Sequence, residues 1–328
     1  MVSIKNLFLA WRRFSKGKRS KKDVALFELH LEDNIFLLHQ KLVSDEWKPD
    51  PYKIFFVQDP KLRRIHKASV ADRVLYQAMY QVVYQIFDKH FIYDSYASRN
   101  FKGTHRGVKR FQTFAGKVSG NHRRPAFVLK CDIRRFFDSV DHTILLRLIE
   151  QRISDKELLR LLENIIGSFE TIHGKGLPLG NVTSQILANI YLNELDQFVK
   201  HTLKARYYIR YCDDFVILSA DVSKLKEFVQ YIVQFLDERL KLKLHPNKVT
   251  IRKISQGTDF LGYVSLPNYC VLRTKTKNRM YKKIKVMAGM VRAGKMEKVY
   301  FKNSLASYTG MLKHCKGEKI LDKIERII

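Results

Sequence analysis

Two adjacent carboxylates, Asp213 and Asp214, lie inside an otherwise apolar run, Tyr207-Tyr-Ile-Arg-Tyr-Cys-Asp-Asp-Phe-Val-Ile-Leu-Ser219, and constrain the fold more than any other feature. Strand formers flank them (Tyr207, Ile209, Tyr211, then Phe215, Val216, Ile217, Leu218), so the pair is expected to form the tight turn of a β-hairpin with buried arms. Like charges fixed on a rigid scaffold repel unless a cation lies beside them, which points to a hard divalent metal. Asp is also a common turn former, and an ordinary Asp-Asp turn accounts for the pair equally well without a third carboxylate nearby.

The pattern around the hairpin is alternating. A strand is expected over Ala126–Asp132, a helix from His142 capped by Asp141, and another opened by the capping box Ser154-Asp-Lys-Glu157. A helix after Thr183 shows Ile186, Leu187, Ile190, Tyr191, Leu195 and Phe198 at three- and four-residue spacing and leads into the hairpin. Leu225 to Leu240 reads as a further amphipathic helix, followed by a short strand near Lys241–Leu244. Strand, helices, hairpin, helix, strand is the order of a split β-α-β sheet with helices on one face, an α+β fold. Before it, residues up to about Arg124 read as mostly helical, with an extended segment at Tyr52–Val57, a cationic loop Asp59-Pro-Lys-Leu-Arg-Arg64 and a helix over Ala71–Phe87. After about Tyr269 come two helical stretches rich in Lys and Arg.

Composition selects the partner. Lys and Arg number 61 against 32 acidic residues, a net charge of +29, which implies a long polyanion, with nucleic acid ahead of a membrane surface. The basic residues are interleaved with 21 Phe and 16 Tyr, as a strand-tracking groove requires, and no amphipathic anchor or lipidation signal favours a membrane. Four dispersed cysteines with no zinc spacing read as reduced thiols. The short apolar patch Leu7–Trp11 precedes a basic run, the reverse of a signal peptide, and nothing approaches transmembrane length.

Asp132 ends the first strand of the expected sheet, beside the hairpin, and supplies the missing carboxylate. Asp132, Asp213 and Asp214, with the carbonyl of Ile133, are expected to hold two Mg²⁺ ions for phosphoryl transfer. A strand-end Asp facing solvent is the plainer alternative for Asp132.

On these residues the chain resembles a reverse transcriptase, and the motifs follow the family's order over nearly the whole length. They are Arg63-Arg-Ile-His-Lys-Ala-Ser-Val-Ala-Asp-Arg73, Tyr96-Ala-Ser-Arg-Asn-Phe-Lys-Gly-Thr-His-Arg-Gly107, Asp132-Ile-Arg-Arg-Phe-Phe137, Gly176-Leu-Pro-Leu-Gly-Asn-Val-Thr-Ser-Gln185, Tyr211-Cys-Asp-Asp214, His245-Pro-Asn-Lys248 and Phe260-Leu-Gly-Tyr263. The resemblance implies a right-hand polymerase with a ferredoxin-like palm: a basic extension over 1–23, fingers over 24–124, palm over 125–268 (part of 165–185 contributing to the fingers) and a short helical thumb over 269–328. It implies an RNA-directed DNA polymerase working with template RNA, a cDNA primer and dNTPs, with two Mg²⁺ for which Mn²⁺ can substitute, in the cytoplasm of a bacterium or encoded by its phage.

The resemblance also implies roles. Lys61, Arg63 and Arg64 match the fingers' triphosphate contacts, although a solvated basic loop fits the same residues. Phe137 matches the steric gate that excludes a ribose 2′-hydroxyl, and as bare sequence it fits a core position as well. Lys248 matches the lysine that protonates the leaving pyrophosphate; by pattern alone it is a surface lysine. Leu261, Gly262 and Tyr263 match the primer grip. Tyr211 is assigned with them to the primer and template, and Arg99 and His105 to template or nucleotide, a structural His being the alternative.

Many reverse transcriptases carry Gln before the glycine and Ser-Pro at the end of the motif that here reads Leu179-Gly180 and Ser184-Gln185. This departure, with Leu305-Ala-Ser-Tyr-Thr-Gly310 in the thumb, resembles the enzymes of diversity-generating retroelements. That subfamily implies mutagenic retrohoming, errors opposite adenine and a small accessory protein forming a barrel-like oligomer. Leu179, Gly180 and Gln185 are then expected around the nascent base pair, with apolar Leu179 weakening discrimination against mispairs. Retron, group II intron-like and phage-defence enzymes are the neighbouring alternatives, and a nucleic-acid-binding module on a dead palm is the alternative outside the enzymes.

Overall fold

A computed structural model describes residues 2–58 and 61–327. Helices α1 (Ile4–Ser15), α2 (Lys22–Leu29) and α3 (Leu31–Val43) open the chain, and α1 buries Leu7, Ala10, Trp11 and Phe14. A two-stranded hairpin follows, β1 (Lys53–Gln58) with β2 (Leu62–Lys67), antiparallel from Lys53↔Lys67 to Gln58↔Leu62. Residues Leu62 to Arg64, expected in a loop, therefore belong to a strand, while Asp59 and Pro60 lie outside the described residues. Helix α4 (Val70–Phe87) starts one residue before its expected boundary because the Ser69 hydroxyl accepts from the Asp72 N–H. Helix α5 (Thr104–Val118) completes this region.

Four antiparallel strands form the central sheet: β3 (Phe127–Asp132), β4 (Tyr207–Tyr211), β5 (Asp214–Ser219) and β6 (Thr250–Lys253), in the order β4-β5-β3-β6. Between β3 and β4 run α6 (Phe136–Ser139), α7 (His142–Glu150), α8 (Lys156–Gly167) and α9 (Val182–Gln197), and α10 (Val222–Leu240) follows β5. The order is ferredoxin-like. Two boundaries differ from expectation. Asp155, not Ser154, caps α8, its carboxylate accepting from Leu158 N–H at 2.9 Å. The last strand is Thr250–Lys253, not Lys241–Leu244: Lys241 has φ +52 at the end of α10, and Leu244 only bridges Ile133.

The sheet is also covered on both faces rather than one. Leu129, Cys131, Tyr208, Phe215 and Ile217 join the main core under α4, α7, α8, α9 and α10, while Val128, Ile209, Val216 and Leu218 pack with Phe111 and Phe114 of α5. Strands buried on both sides read as continuous apolar runs, and each such side chain contributes roughly 1.5–3 kcal/mol. Strands β7 (Thr258–Phe260), β8 (Tyr263–Ser265) and β9 (Cys270–Leu272) form a second sheet. Three helices follow, α11 (Thr274–Arg292), α12 (Lys298–Leu312) and α13 (Glu318–Glu325), one more than the pattern suggested. Among the described residues no helix is long and apolar enough to cross a membrane.

Candidate active site

Strand register assembles the acidic centre. β3 and β5 pair so that Asp132 lies opposite Asp214, and Ile133 N–H donates to the Asp213 carbonyl at 3.1 Å. The hairpin turn is Cys212-Asp213, one residue earlier than expected: Tyr211 pairs with Asp214, which opens β5, and Cys212 takes φ +55. A two-residue hairpin needs such a left-handed position, which disfavours a non-glycine residue by about 1 kcal/mol.

Burial governs the charges. Asp214 is pushed up to about 6, chiefly by burial, with Asp132 and Asp213 adding and Lys130 opposing. Asp213 is raised by burial and by Asp132, against the pull of Lys248. Lys130 Nζ lies 3.6 Å from Asp214 Oδ2, and Lys248 Nζ donates to Asp132 Oδ1 at 2.7 Å. Asp214 Oδ1 is buried without a hydrogen-bond partner. Such an orphaned carboxylate oxygen, in an all-oxygen donor set, fits a hard cation such as Mg²⁺ or Mn²⁺. Among the described residues no three acidic, His or Cys side chains already converge as a cage; Asp132 is held by Lys248 instead.

The remaining expected residues fall into groups. Lys61, Arg63 and Arg64 are exposed on the β1–β2 hairpin, but strand alternation sends Arg63 to the Ile65 face and Arg64 to the His66 face. Leu179 is half-buried, and its carbonyl accepts from His66 N–H at 2.9 Å, locking the Gly176–Gln185 motif to β2. Gly180 has φ +119, and a Cβ there would stand 2.8 Å from Ile65 Cγ2. Gln185 is exposed on α9, and Phe137 is half-buried on α6 with its ring edge-on to Phe136.

Arg99 is turned inward. Its guanidinium bonds Asp88 and the carbonyls of Asp88, Ile92 and Ser95, and its side chain is 7% exposed, so it braces the loop that leads into its own motif. His105 stacks on His314 at 3.7 Å and lies 3.3 Å from the Tyr263 hydroxyl, which donates to the Met311 carbonyl, linking α5 to the carboxy-terminal helices. Tyr211 accepts from the Thr104 hydroxyl. Leu261 and Gly262, with φ +54 and +87, are the two turn residues between β7 and β8.

Sequence reasoning missed Lys130 and the buried pair Arg210–Asp196, in which Arg210 donates through Nε to Asp196 Oδ1 and through Nη2 to Asp196 Oδ2, both at 2.7 Å. The available signal was a cation in each of two apolar strands, which demands an acidic partner.

A ferredoxin-like sheet presenting acidic residues at β3 and at the β4–β5 turn, flanked by a finger-like hairpin and a helical carboxy-terminal part, defines a right-hand polymerase. Residues 50–265 match the reverse transcriptase (RNA-dependent DNA polymerase) family, and the chain belongs to it and carries its RNA-directed DNA polymerase domain. The family generally uses divalent metal ions and acts on template RNA. Protein YkfC of Escherichia coli K12 is 27% identical over 285 residues, covering 73% of this chain and 72% of that protein. The group II intron-encoded protein LtrA of Lactococcus lactis is 24% identical over 306 residues, covering 71% of this chain and 49% of LtrA. In fold the chain is similar to apo telomerase of Candida tropicalis truncated from its C-terminal domain (TM-score 0.52, 13% identity, 74% of this chain and 60% of that one). A telomerase of Candida albicans, in complex with a fragment of telomeric RNA, gives TM-score 0.52 at 12% identity over 89% of this chain and 64% of that one. The chain thus spans about half of LtrA and under two thirds of these telomerase chains.

Proposed function

We propose that this chain copies a template RNA into cDNA by nucleotidyl transfer from dNTPs, with Asp132, Asp213, Asp214 and the Ile133 carbonyl holding two Mg²⁺, for which Mn²⁺ can substitute. The observation that carries the reading is the β3–β5 register, which sets Asp132 against Asp214 while leaving Asp214 Oδ1 buried and unpartnered. When bound, the ions lower the pKa of the primer 3′-hydroxyl and neutralise the leaving pyrophosphate. The protein's own residues do the positioning. Arg63 or Arg64, with Lys61, grips phosphate oxygens, the guanidinium fork suiting them best. Phe137 packs under the sugar, and Lys248, once detached from Asp132, gives a proton to pyrophosphate. Leu261, Gly262 and Tyr263 hold the primer end.

Fingers over 24–124, palm over 125–268 and thumb over 269–328 are the proposed divisions, and the bacterial or phage-infected cytoplasm the proposed setting. Within the family we assign the chain to the diversity-generating type, copying with errors opposite adenine for mutagenic retrohoming alongside a small oligomeric accessory protein. Leu179-Gly180 and Ser184-Gln185 support that assignment. The similarity to LtrA favours a group II intron-like enzyme as the second reading. Sequencing cDNA made on an RNA of even base composition separates them: substitutions concentrated opposite adenine support the first, and uniform low error supports the second.

A further inference from the structure

Arg210 is a fully charged side chain with 0% exposure, in the strand that delivers the acidic turn. An arginine has five N–H donors in a rigid fork, and here every one is matched. Nε donates to Asp196 Oδ1 and Nη2 to Asp196 Oδ2, both at 2.7 Å. Nη2 also donates to the Ser95 hydroxyl at 3.2 Å. Nη1 donates to Asn189 Oδ1 at 3.2 Å and to the Cys212 carbonyl at 3.2 Å. The partners are equally enclosed: Asp196 and Ser95 are 0% exposed and Asn189 2%. Asp196 takes a third donor, the Tyr208 hydroxyl at 2.8 Å, and Asn189 Nδ2 donates to the Ala97 carbonyl at 2.9 Å.

The backbone of Arg210 is also fixed. Its N–H donates to the Asp94 carbonyl and its carbonyl accepts from Tyr96 N–H, so the 94–96 segment closes the outer edge of β4. The network thus joins α9, β4 and this segment at one guanidinium, and its last bond reaches the carbonyl of Cys212. That residue has φ +55 and immediately precedes Asp213. The peptide linking Cys212 to Asp213 is consequently anchored through its carbonyl to the buried guanidinium.

We propose that Arg210, clamped by Asp196 and Asn189, is a positioning residue for the metal site: its hydrogen bond to the Cys212 carbonyl sets the orientation of the Asp213-Asp214 turn toward Asp132. The inference rests on the reading of these aspartates as metal ligands. A buried ion pair retained for stability alone would need no bond to the turn, and apolar replacement of such pairs is often tolerated. Lysine, with three donors on a flexible stem, cannot reproduce the fork, so even charge-conserving replacement should disturb the turn.

The test compares wild type, Arg210→Lys, Asn189→Ala and Asp213→Ala by Mn²⁺ binding to the nucleic-acid-free protein, followed by electron paramagnetic resonance, and by the Mg²⁺ midpoint of primer extension. Outer partners of metal ligands typically contribute about 10–100-fold to affinity or activity. Arg210→Lys should weaken Mn²⁺ binding and raise the Mg²⁺ midpoint by about tenfold or more, with primer–template affinity unchanged. Asn189→Ala should give a smaller shift in the same direction, and it decides the matter if Arg210→Lys is not recovered folded. Metal binding within twofold of wild type in a folded variant would overturn the positioning role. If Asp213→Ala itself binds Mn²⁺ and extends primers normally, the metal-site reading fails first, whatever Arg210 does.

Discussion

Lys248 Nζ donates to Asp132 Oδ1 at 2.7 Å, so the cation assigned to the leaving pyrophosphate is tied to a carboxylate assigned to metal. One positive charge thereby stands in for another, and arrival of metal at Asp132 would free the ammonium to face the phosphates. The pair is partly exposed, 38% at Lys248 and 19% at Asp132, so its strength lies in the modest range of surface ion pairs.

Lys248→Met should therefore separate two properties. Removing the competing ammonium should tighten Mn²⁺ binding to the nucleic-acid-free protein by roughly twofold to fivefold, matching about 0.5–1 kcal/mol for such a pair. The catalysed step should slow by ~100-fold for loss of a general acid. Resonance titration and single-turnover extension measure the two; weaker metal binding would show that Lys248 supports the site rather than shielding it.

Asp214 sets a pH dependence. Its carboxyl rises from 3.8 to about 6 on folding, chiefly through burial, so between these values the folded chain binds more protons than the unfolded one. Stability from this group is then full below about pH 4 and declines as pH rises through 6, by up to about 3 kcal/mol. Asp214→Asn should stabilise the metal-free protein at pH 7.5 and lose that advantage as pH falls toward 4. Denaturation across this range checks it, and an advantage that grew at low pH would contradict the sign. The same variant should be inactive.

Gly180 joins the Leu179 turn to α9 at φ +119 with Ile65 against it. Gly180→Ala should destabilise the protein by roughly 1–3 kcal/mol, from backbone strain and the clash together. Adding Ile65→Ala should recover only part in a denaturant titration, because the smaller neighbour relieves the contact but not the dihedral.

Leu179 provides the fidelity test. On the diversity-generating reading, Leu179→Gln should reduce misincorporation opposite adenine several-fold in sequenced cDNA while leaving correct extension intact. An unchanged error spectrum would detach fidelity from this position.

The hairpin was legible because two short runs of strand-forming residues flank a charged pair, and Asp132 because it ends a strand of the same kind. The turn itself was displaced by one residue, since nothing local announces that Cys212 adopts a left-handed conformation. The final strand was placed too early because Leu242 and Leu244 carry an alternating pattern, although the chain there only bridges Ile133 before turning at Pro246. The inward bonds of Arg99 were not legible, because only the tertiary structure brings the Asp88 carboxylate and the Ile92 carbonyl to its guanidinium. Arg210 and Asp196 are 14 positions apart on a strand and a helix, and no spacing rule links them.

The most direct test of the central claim is primer extension on an RNA template with Mg²⁺ and dNTPs, comparing the wild-type chain with Asp213→Ala. If Asp213 is a ligand of the catalytic metals, the wild type yields RNA-templated cDNA and the variant loses at least ~1000-fold at unchanged primer–template affinity. Extension that persists unaltered in Asp213→Ala would contradict it.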